Sequence, residues 1–149
     1  MRERRFKTRS VEGTLALGER IAEMLPPPML IILRGEVGAG KTTLVKGIAA
    51  ALGAAAEDEV TSPTFILVHE YVGKSVRLFH LDLYRLETEE QIAVLGLDEM
   101  SSYDNSLVLI EWGDRFESIL RRADGEIYIE PTDPDATPNE RGFILRLKD

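Results

Sequence analysis

The chain has 149 residues, of which 44% are apolar and 30% charged, a globular composition expected to make one domain spanning 1–149. With no cysteine and two histidines, disulfide frameworks, thiolate zinc sites and thiol nucleophiles are excluded, and a histidine-based metal cluster has little to draw on. Eighteen basic against 26 acidic residues leave a net charge of −8, which argues against broad binding to a phosphate backbone, so any link to RNA is expected to be indirect.

The chain opens on Met1-Arg2-Glu3-Arg4-Arg5, which runs into a polar segment instead of a signal-peptide core. No apolar stretch reaches the roughly 18 residues of a membrane span, so a cytoplasmic protein is expected. Glu3 to Thr8 alternates enough for a short edge strand. The cluster Arg2, Arg4, Arg5 and Lys7 there reads as a solvated chain end. Ser10 is placed to cap a helix over Val11 to Leu25, which Pro26-Pro27-Pro28 stops. Met29 to Leu33 is apolar without alternation, as in a strand buried on both faces of a parallel sheet. Lys41 to Leu52 carries Leu44, Val45, Ile48, Ala49 and Leu52 on one helical face and closes on Gly53.

After the acidic stretch Ala56 to Val60, Thr64 to Tyr71 and Ser75 to Leu83 read as strands of a hairpin turning at Val72-Gly73-Lys74. Glu87 to Leu95 is a short helix and Ser106 to Ile110 a second buried strand. Asp114 is expected to open another helix, with Glu117 spaced for a capping box. Strands near Glu126 to Glu130 and Phe143 to Leu147 end the chain, bridged by a proline-rich loop, Pro131 to Pro138. The pattern predicts an α/β fold with a mixed, partly parallel central sheet.

Gly35-Glu36-Val37-Gly38-Ala39-Gly40-Lys41-Thr42 fits G-x-x-x-x-G-K-[ST] between a buried strand and an amphipathic helix. The glycines allow successive N–H groups to face one phosphate, and the following helix adds unpaired donors and the positive end of its dipole. Lys41 is expected at the β- and γ-phosphates of a nucleotide and the Thr42 hydroxyl on Mg²⁺.

Such a site needs a carboxylate at the end of a neighbouring strand. Leu107-Val108-Leu109-Ile110-Glu111 has the Walker-B form with Glu in place of Asp. Asp82, inside the alternating Phe79-His80-Leu81-Asp82-Leu83-Tyr84-Arg85, is either a second site acid or the partner of Arg85 or His80. Trp112 either covers the nucleotide or fills the core, and His69 reads as an ordinary strand residue. Thr61-Ser62-Pro63-Thr64, with hydroxyls on Thr61, Ser62 and Thr64, is either a switch that senses the γ-phosphate or a turn into the next strand.

Four segments together resemble the bacterial TsaE (YjeE) P-loop ATPases of tRNA threonylcarbamoyladenosine formation. They are Gly35 to Thr43 as G-E-V-G-A-G-K-T-T, Thr61 to Phe65 as T-S-P-T-F, Phe79 to Leu86 as F-H-L-D-L-Y-R-L, and Leu109 to Trp112 as L-I-E-W. The chain departs from the family's usual pattern at Glu36, where Asp is common, and in the long stretch Pro131 to Pro138. The resemblance implies a P-loop NTPase three-layer sandwich that binds ATP and Mg²⁺ through the loop from Gly35 to Thr43. Lys41 and Thr42 would hold phosphates and metal, Asp82 and Glu111 would surround the metal and the attacking water, and Trp112 would lie beside the nucleotide. It also implies ATP hydrolysis in support of a threonylcarbamoyl transferase made of TsaD and TsaB, which would handle the tRNA. The absence of an obvious lid or arginine finger leads to the expectation that this hydrolysis is slow until partners accelerate it. A small P-loop kinase and a nucleotide-gated binding module are the competing readings. A GTPase is disfavoured because N-K-x-D is absent.

Overall fold

The computed structural model describes residues 2–35, 40–54, 68–131, 135 and 140–149. Expectations for Glu36, Val37, Gly38 and Ala39, for Thr61, Ser62 and Thr64, and for most of the Pro131 to Pro138 bridge lie outside the described residues.

The strands are β1 (Arg2–Thr8), β2 (Met29–Arg34), β3 (Val68–Val72), β4 (Arg77–Asp82), β5 (Ser106–Glu111), β6 (Gly125–Ile129) and β7 (Arg141–Leu147). The helices are α1 (Val11–Glu23), α2 (Lys41–Ala51), α3 (Glu89–Ala93), α4 (Leu97–Ser101) and α5 (Glu117–Arg122). The strands form one sheet in the order β1-β7-β6-β2-β5-β4-β3. Its centre is parallel, with β2 between β5 and β6 and β4 beside β5. The antiparallel pairs β3–β4, β6–β7 and β1–β7 complete both edges.

Alternation along the strands divides the interior into two cores. Ile31 and Leu33 of β2, Leu78 of β4 and Leu107 and Leu109 of β5 pack with Leu17, Ile21, Leu44 and Ile48 of α1 and α2. On the opposite face Leu30, Ile32, Phe79, Leu81, Val108 and Ile110 pack with Ile92, Leu97, Met100 and Ile119 of α3, α4 and α5. The result is an α/β three-layer sandwich around a mixed sheet. The unbroken aliphatic runs in β2 and β5 follow from burial on both faces, where each large side chain contributes about 1.5–3 kcal/mol.

Several element ends depart from expectation for local reasons. α3 begins only at Glu89, because Thr88 and Gln91 form a capping box in which the Thr88 hydroxyl accepts from the Gln91 N–H. α4 was not anticipated: Gly96, at φ +86°, ends the preceding turn and restarts the helix one residue later. The helix expected from Asp114 starts instead at Glu117, with Phe116 as its cap and no capping box. Gly113–Arg115 form a short 3-10 turn, and the Asp114 carboxylate is committed to an ion pair with Arg34 at 3.5 Å. Ser10 caps α1 as expected, its hydroxyl accepting from the Gly13 N–H at 2.9 Å.

α1 and α2 approach through glycines. A Cβ on Gly18 would fall 2.7 Å from the Leu44 carbonyl oxygen, and one on Gly47 would run into the Leu15 carbonyl oxygen. Backbone meets backbone there, so no side chain can move aside. Gly47→Ala is therefore expected to destabilise the protein by about 1–3 kcal/mol through overpacking, despite the better helix propensity of alanine. Thermal unfolding checks this, and an unchanged midpoint would mean that the helices can part without loss.

Candidate functional site

Three neighbouring parallel strands, β2, β5 and β4, end side by side, and the register sets Leu33 against Glu111 and Glu111 against Asp82. Asp82 and Glu111 lie on the face that packs on α2, because they continue the Leu78, His80 and Leu107, Leu109 alternation. β2 ends at Arg34, Gly35 follows it, and α2 begins at Lys41. The chain thus places its phosphate-loop ends and both acids at the C-terminal edge of one sheet, the usual ligand position in an open α/β fold.

Glycine is needed at both described ends of the loop. Gly35 lies at φ +152° with Ile129 so close that a Cβ would come 3.0 Å from its carbonyl oxygen. Gly40 precedes α2 at φ +102°, makes no side-chain cap, and a Cβ there would meet nothing within 4 Å. Among the described residues no side chain caps the start of this 11-residue helix, an arrangement suited to an anion. Thr42 and Thr43 stand half-buried in this first turn.

Lys41 is buried, and its Nζ donates to the Gly35 carbonyl at 2.8 Å and lies 3.5 Å from Glu111 Oε1. Glu111 Oε2 accepts from His80 Nε2 at 2.7 Å. Burial alone would push the Glu111 carboxyl up, but the His80 hydrogen bond and the charges of His80 and Lys41 outweigh it and hold it below the usual carboxylate range. Asp82 goes the other way. Burial and the neighbouring Glu111 charge raise its carboxyl above the ordinary value, against the lowering effects of the Tyr84 N–H, Lys41 and His80. Its Oδ1 accepts from the Tyr84 N–H at 2.9 Å, and Oδ2 has no hydrogen-bond partner among the described residues. Paired carboxylates pushed apart in this way are suited to different tasks.

Trp112 follows Glu111 at φ +66°, and it has a positive φ that no other described non-glycine residue shares. Such a conformation is strained for a bulky side chain and is kept where the surroundings demand it. It turns the half-buried ring back over the site, with its centroid 5.0 Å from Lys41 Nζ and 5.2 Å from the Tyr84 ring. The ring also packs on the core below α3 to α5, so the two readings of Trp112 meet in one residue.

The structure brings Gly35, Gly40, Lys41, Thr42, Thr43, Asp82, Glu111 and Trp112 to one edge of the sheet. It also shows what sequence reading missed: His80, fully buried, bonds to Glu111 and not to Asp82, and its Nδ1 has no hydrogen-bond partner among the described residues. Arg85 is exposed on the loop after β4. His69 behaves as an ordinary strand residue, bonded to the Tyr71 hydroxyl at 3.0 Å. Among the described residues no three carboxylate or histidine side chains gather as a metal cage. A hydroxyl and one or two carboxylates beside a phosphate position is a donor set that fits Mg²⁺ held jointly with a nucleotide.

The sequence profile of the family described as "Threonylcarbamoyl adenosine biosynthesis protein TsaE" matches residues 8–141. The Bacillus subtilis (strain 168) protein described as "tRNA threonylcarbamoyladenosine biosynthesis protein TsaE" is 35% identical over 135 residues, covering 91% of this chain and 82% of that protein. A Treponema pallidum protein of the same description is 38% identical over 116 residues, 78% of this chain and 83% of its own. The crystal structure of Bacillus subtilis YdiB superposes with a TM-score of 0.71 at 28% identity, covering 98% of this chain and 86% of that one.

The raised Asp82 carboxyl has a consequence for stability. The native state binds this proton more tightly than the unfolded chain, so stability falls as pH rises from the ordinary carboxylate range through the raised value. Asp82→Asn removes the buried charge while keeping an oxygen for the Tyr84 N–H. In metal-free buffer it is expected to raise the melting temperature at neutral pH by a few degrees, a gain that disappears on acidification below the ordinary Asp range. A lower melting temperature at neutral pH would show that the carboxylate is stabilising after all.

Proposed function

The chain belongs to the TsaE family, and we propose that its part in tRNA threonylcarbamoyladenosine biosynthesis is that of a Mg²⁺-dependent ATPase, slow alone and stimulated by its partners. The observation that carries this reading is the meeting of Lys41, Glu111 and Asp82 in front of the uncapped start of α2, with the two carboxyls shifted in opposite directions.

Each residue has a role that follows from its surroundings. The backbone N–H groups at the start of α2 and the Lys41 ammonium would bind phosphate oxygens, and the Thr42 hydroxyl would take one metal position. Glu111, held ionised by His80 and Lys41, is suited to a metal, which requires a deprotonated ligand. Asp82, with a raised carboxyl and one oxygen that no described residue bonds, is suited to orienting the attacking water and receiving its proton. Bound Mg²⁺ would supply charge to offset that developing on the phosphoryl oxygens. Trp112, over Lys41, would shield the site from bulk water and strengthen its electrostatics. The family's place in the pathway supports TsaD and TsaB type proteins as the partners, with tRNA contacted through them, and a net charge of −8 suits a chain that does not grip RNA itself.

Calorimetric titration tests the cradle. Lys41→Ala is expected to weaken ATP binding by about 10- to 100-fold, the loss of a charge-assisted contact of about 1.5–3 kcal/mol, and wild-type affinity in that variant would overturn the assignment. Glu111→Gln and Asp82→Asn are expected to keep ATP binding while phosphate release falls by about 10²-fold or more. Unchanged turnover in both would move the chemistry elsewhere. Phosphate release by the chain alone, then with TsaD and TsaB added, is expected to rise, since a cation supplied in trans can be worth about 10³-fold in such sites. Equal rates would sink the stimulation, and phosphate found on an acceptor instead of in water would identify a kinase.

A further inference from the structure

Arg115 stands on the 3-10 turn Gly113–Arg115, exposed to solvent and outside the phosphate loop and both acidic strands. Its hydrogen bonds are unusual for a surface arginine. Among the described residues its partners are three backbone carbonyls and no carboxylate: Nη2 donates to Leu83 O, to Tyr84 O at 2.9 Å and to Leu86 O at 3.0 Å. The guanidinium also lies 5.6 Å from the Trp112 ring centroid and 5.4 Å from that of Phe116.

Three carbonyl oxygens converging on one point repel one another, and the chain holds that curl only with a donor at its centre. The curl is the turn that follows Asp82. It sets the Tyr84 N–H on Asp82 Oδ1 at 2.9 Å and the Leu83 N–H on the Glu111 carbonyl at 3.0 Å. The same guanidinium lies 5.6 Å from the centroid of the Trp112 ring, and that ring covers the Lys41 ammonium at 5.0 Å. One side chain thus braces the loop that aims one acid and the aromatic ring over the phosphate-loop lysine.

We propose that Arg115 is a positioning residue of the hydrolytic site, fixing the orientation of Asp82 through the 83–86 turn and the pose of Trp112 through its cation–π contact with the ring. The inference rests on the ATPase reading for its kinetic arm and on the geometry alone for its spectroscopic arm. A guanidinium satisfies both neighbours at once because it is planar enough to stack and rich enough in donors to gather carbonyls.

The experiment compares Arg115→Ala, Arg115→Lys and, as a surface control, Arg121→Ala, whose side chain is exposed and pairs with Glu117 one helical turn away. Because the chain contains a single tryptophan, the emission of nucleotide-free protein reports Trp112 alone. Arg115→Ala is expected to shift that emission and to lower the turnover of Mg²⁺-ATP by about 10- to 100-fold, the usual scale for a group that orients a ligand residue. KM for ATP should change less than about threefold, since the phosphate cradle is untouched. Arg115→Lys carries three donors on a long stem and should recover part of the turnover. Arg121→Ala should match wild type in both readouts.

Unchanged emission and turnover in Arg115→Ala would overturn the proposal. So would a loss of turnover that the lysine variant does not relieve and that tracks a lower melting temperature, because the role would then be structural. If wild-type protein fails to hydrolyse ATP even with TsaD and TsaB, the ATPase reading falls and the emission decides on its own: a shift in Arg115→Ala supports the brace, and none removes it.

Discussion

The site depends on the parallel pairing of β4 with β5, which sets Asp82 directly beside Glu111 at a buried strand end. Two carboxylates at adjacent register positions repel, and neither is well solvated. The protein resolves this with asymmetry. Glu111 receives a histidine and a lysine, while Asp82 receives one backbone N–H and keeps a raised carboxyl. A symmetric environment would have left the two acids to share a proton without settling which keeps it.

That asymmetry is built from groups on four separate elements. His80 comes from β4, Lys41 from the start of α2, the Tyr84 N–H from the turn after β4, and Trp112 from the strained residue after β5. The elements that carry His80 and Lys41 are fixed by packing on the interior. α2 is fixed by its glycine-mediated contact with α1, and the sheet is fixed by the two cores on its faces. A shift of α2 along α1 would carry Lys41 away from Glu111, so the close backbone approach at Gly18 and Gly47 is a requirement of the site as well as of the fold.

The site also illustrates how chemistry and stability pull against each other. The buried Asp82, whose carboxyl is raised, and a tryptophan at positive φ each oppose folding, and both stand at the strand ends beside Lys41. Elsewhere the described chain follows local preference closely, with Ser10 and Thr88 capping helices and Gly53 in the left-handed conformation after α2.

The sequence by itself determined the elements that depend on near neighbours. Unbroken aliphatic runs specify β2 and β5, a 3.6-residue period specifies α1 and α2, and the glycine-rich loop with Lys41 and Thr42 marks the candidate site, because these signals are written in consecutive residues. It also carried enough to place the chain in its family. Where local signals compete, as at Asp114, the side chain's long-range partner Arg34 took it out of the helix start. Only the tertiary structure decided which group holds which acid. His80 lies 31 positions from Glu111, and Arg115 lies 29 to 32 positions from the carbonyls it gathers. No periodicity reports such contacts, because they arise from the order in which strands join the sheet, and the opposite shifts of Asp82 and Glu111 follow from burial and partners that exist only once the sheet has formed.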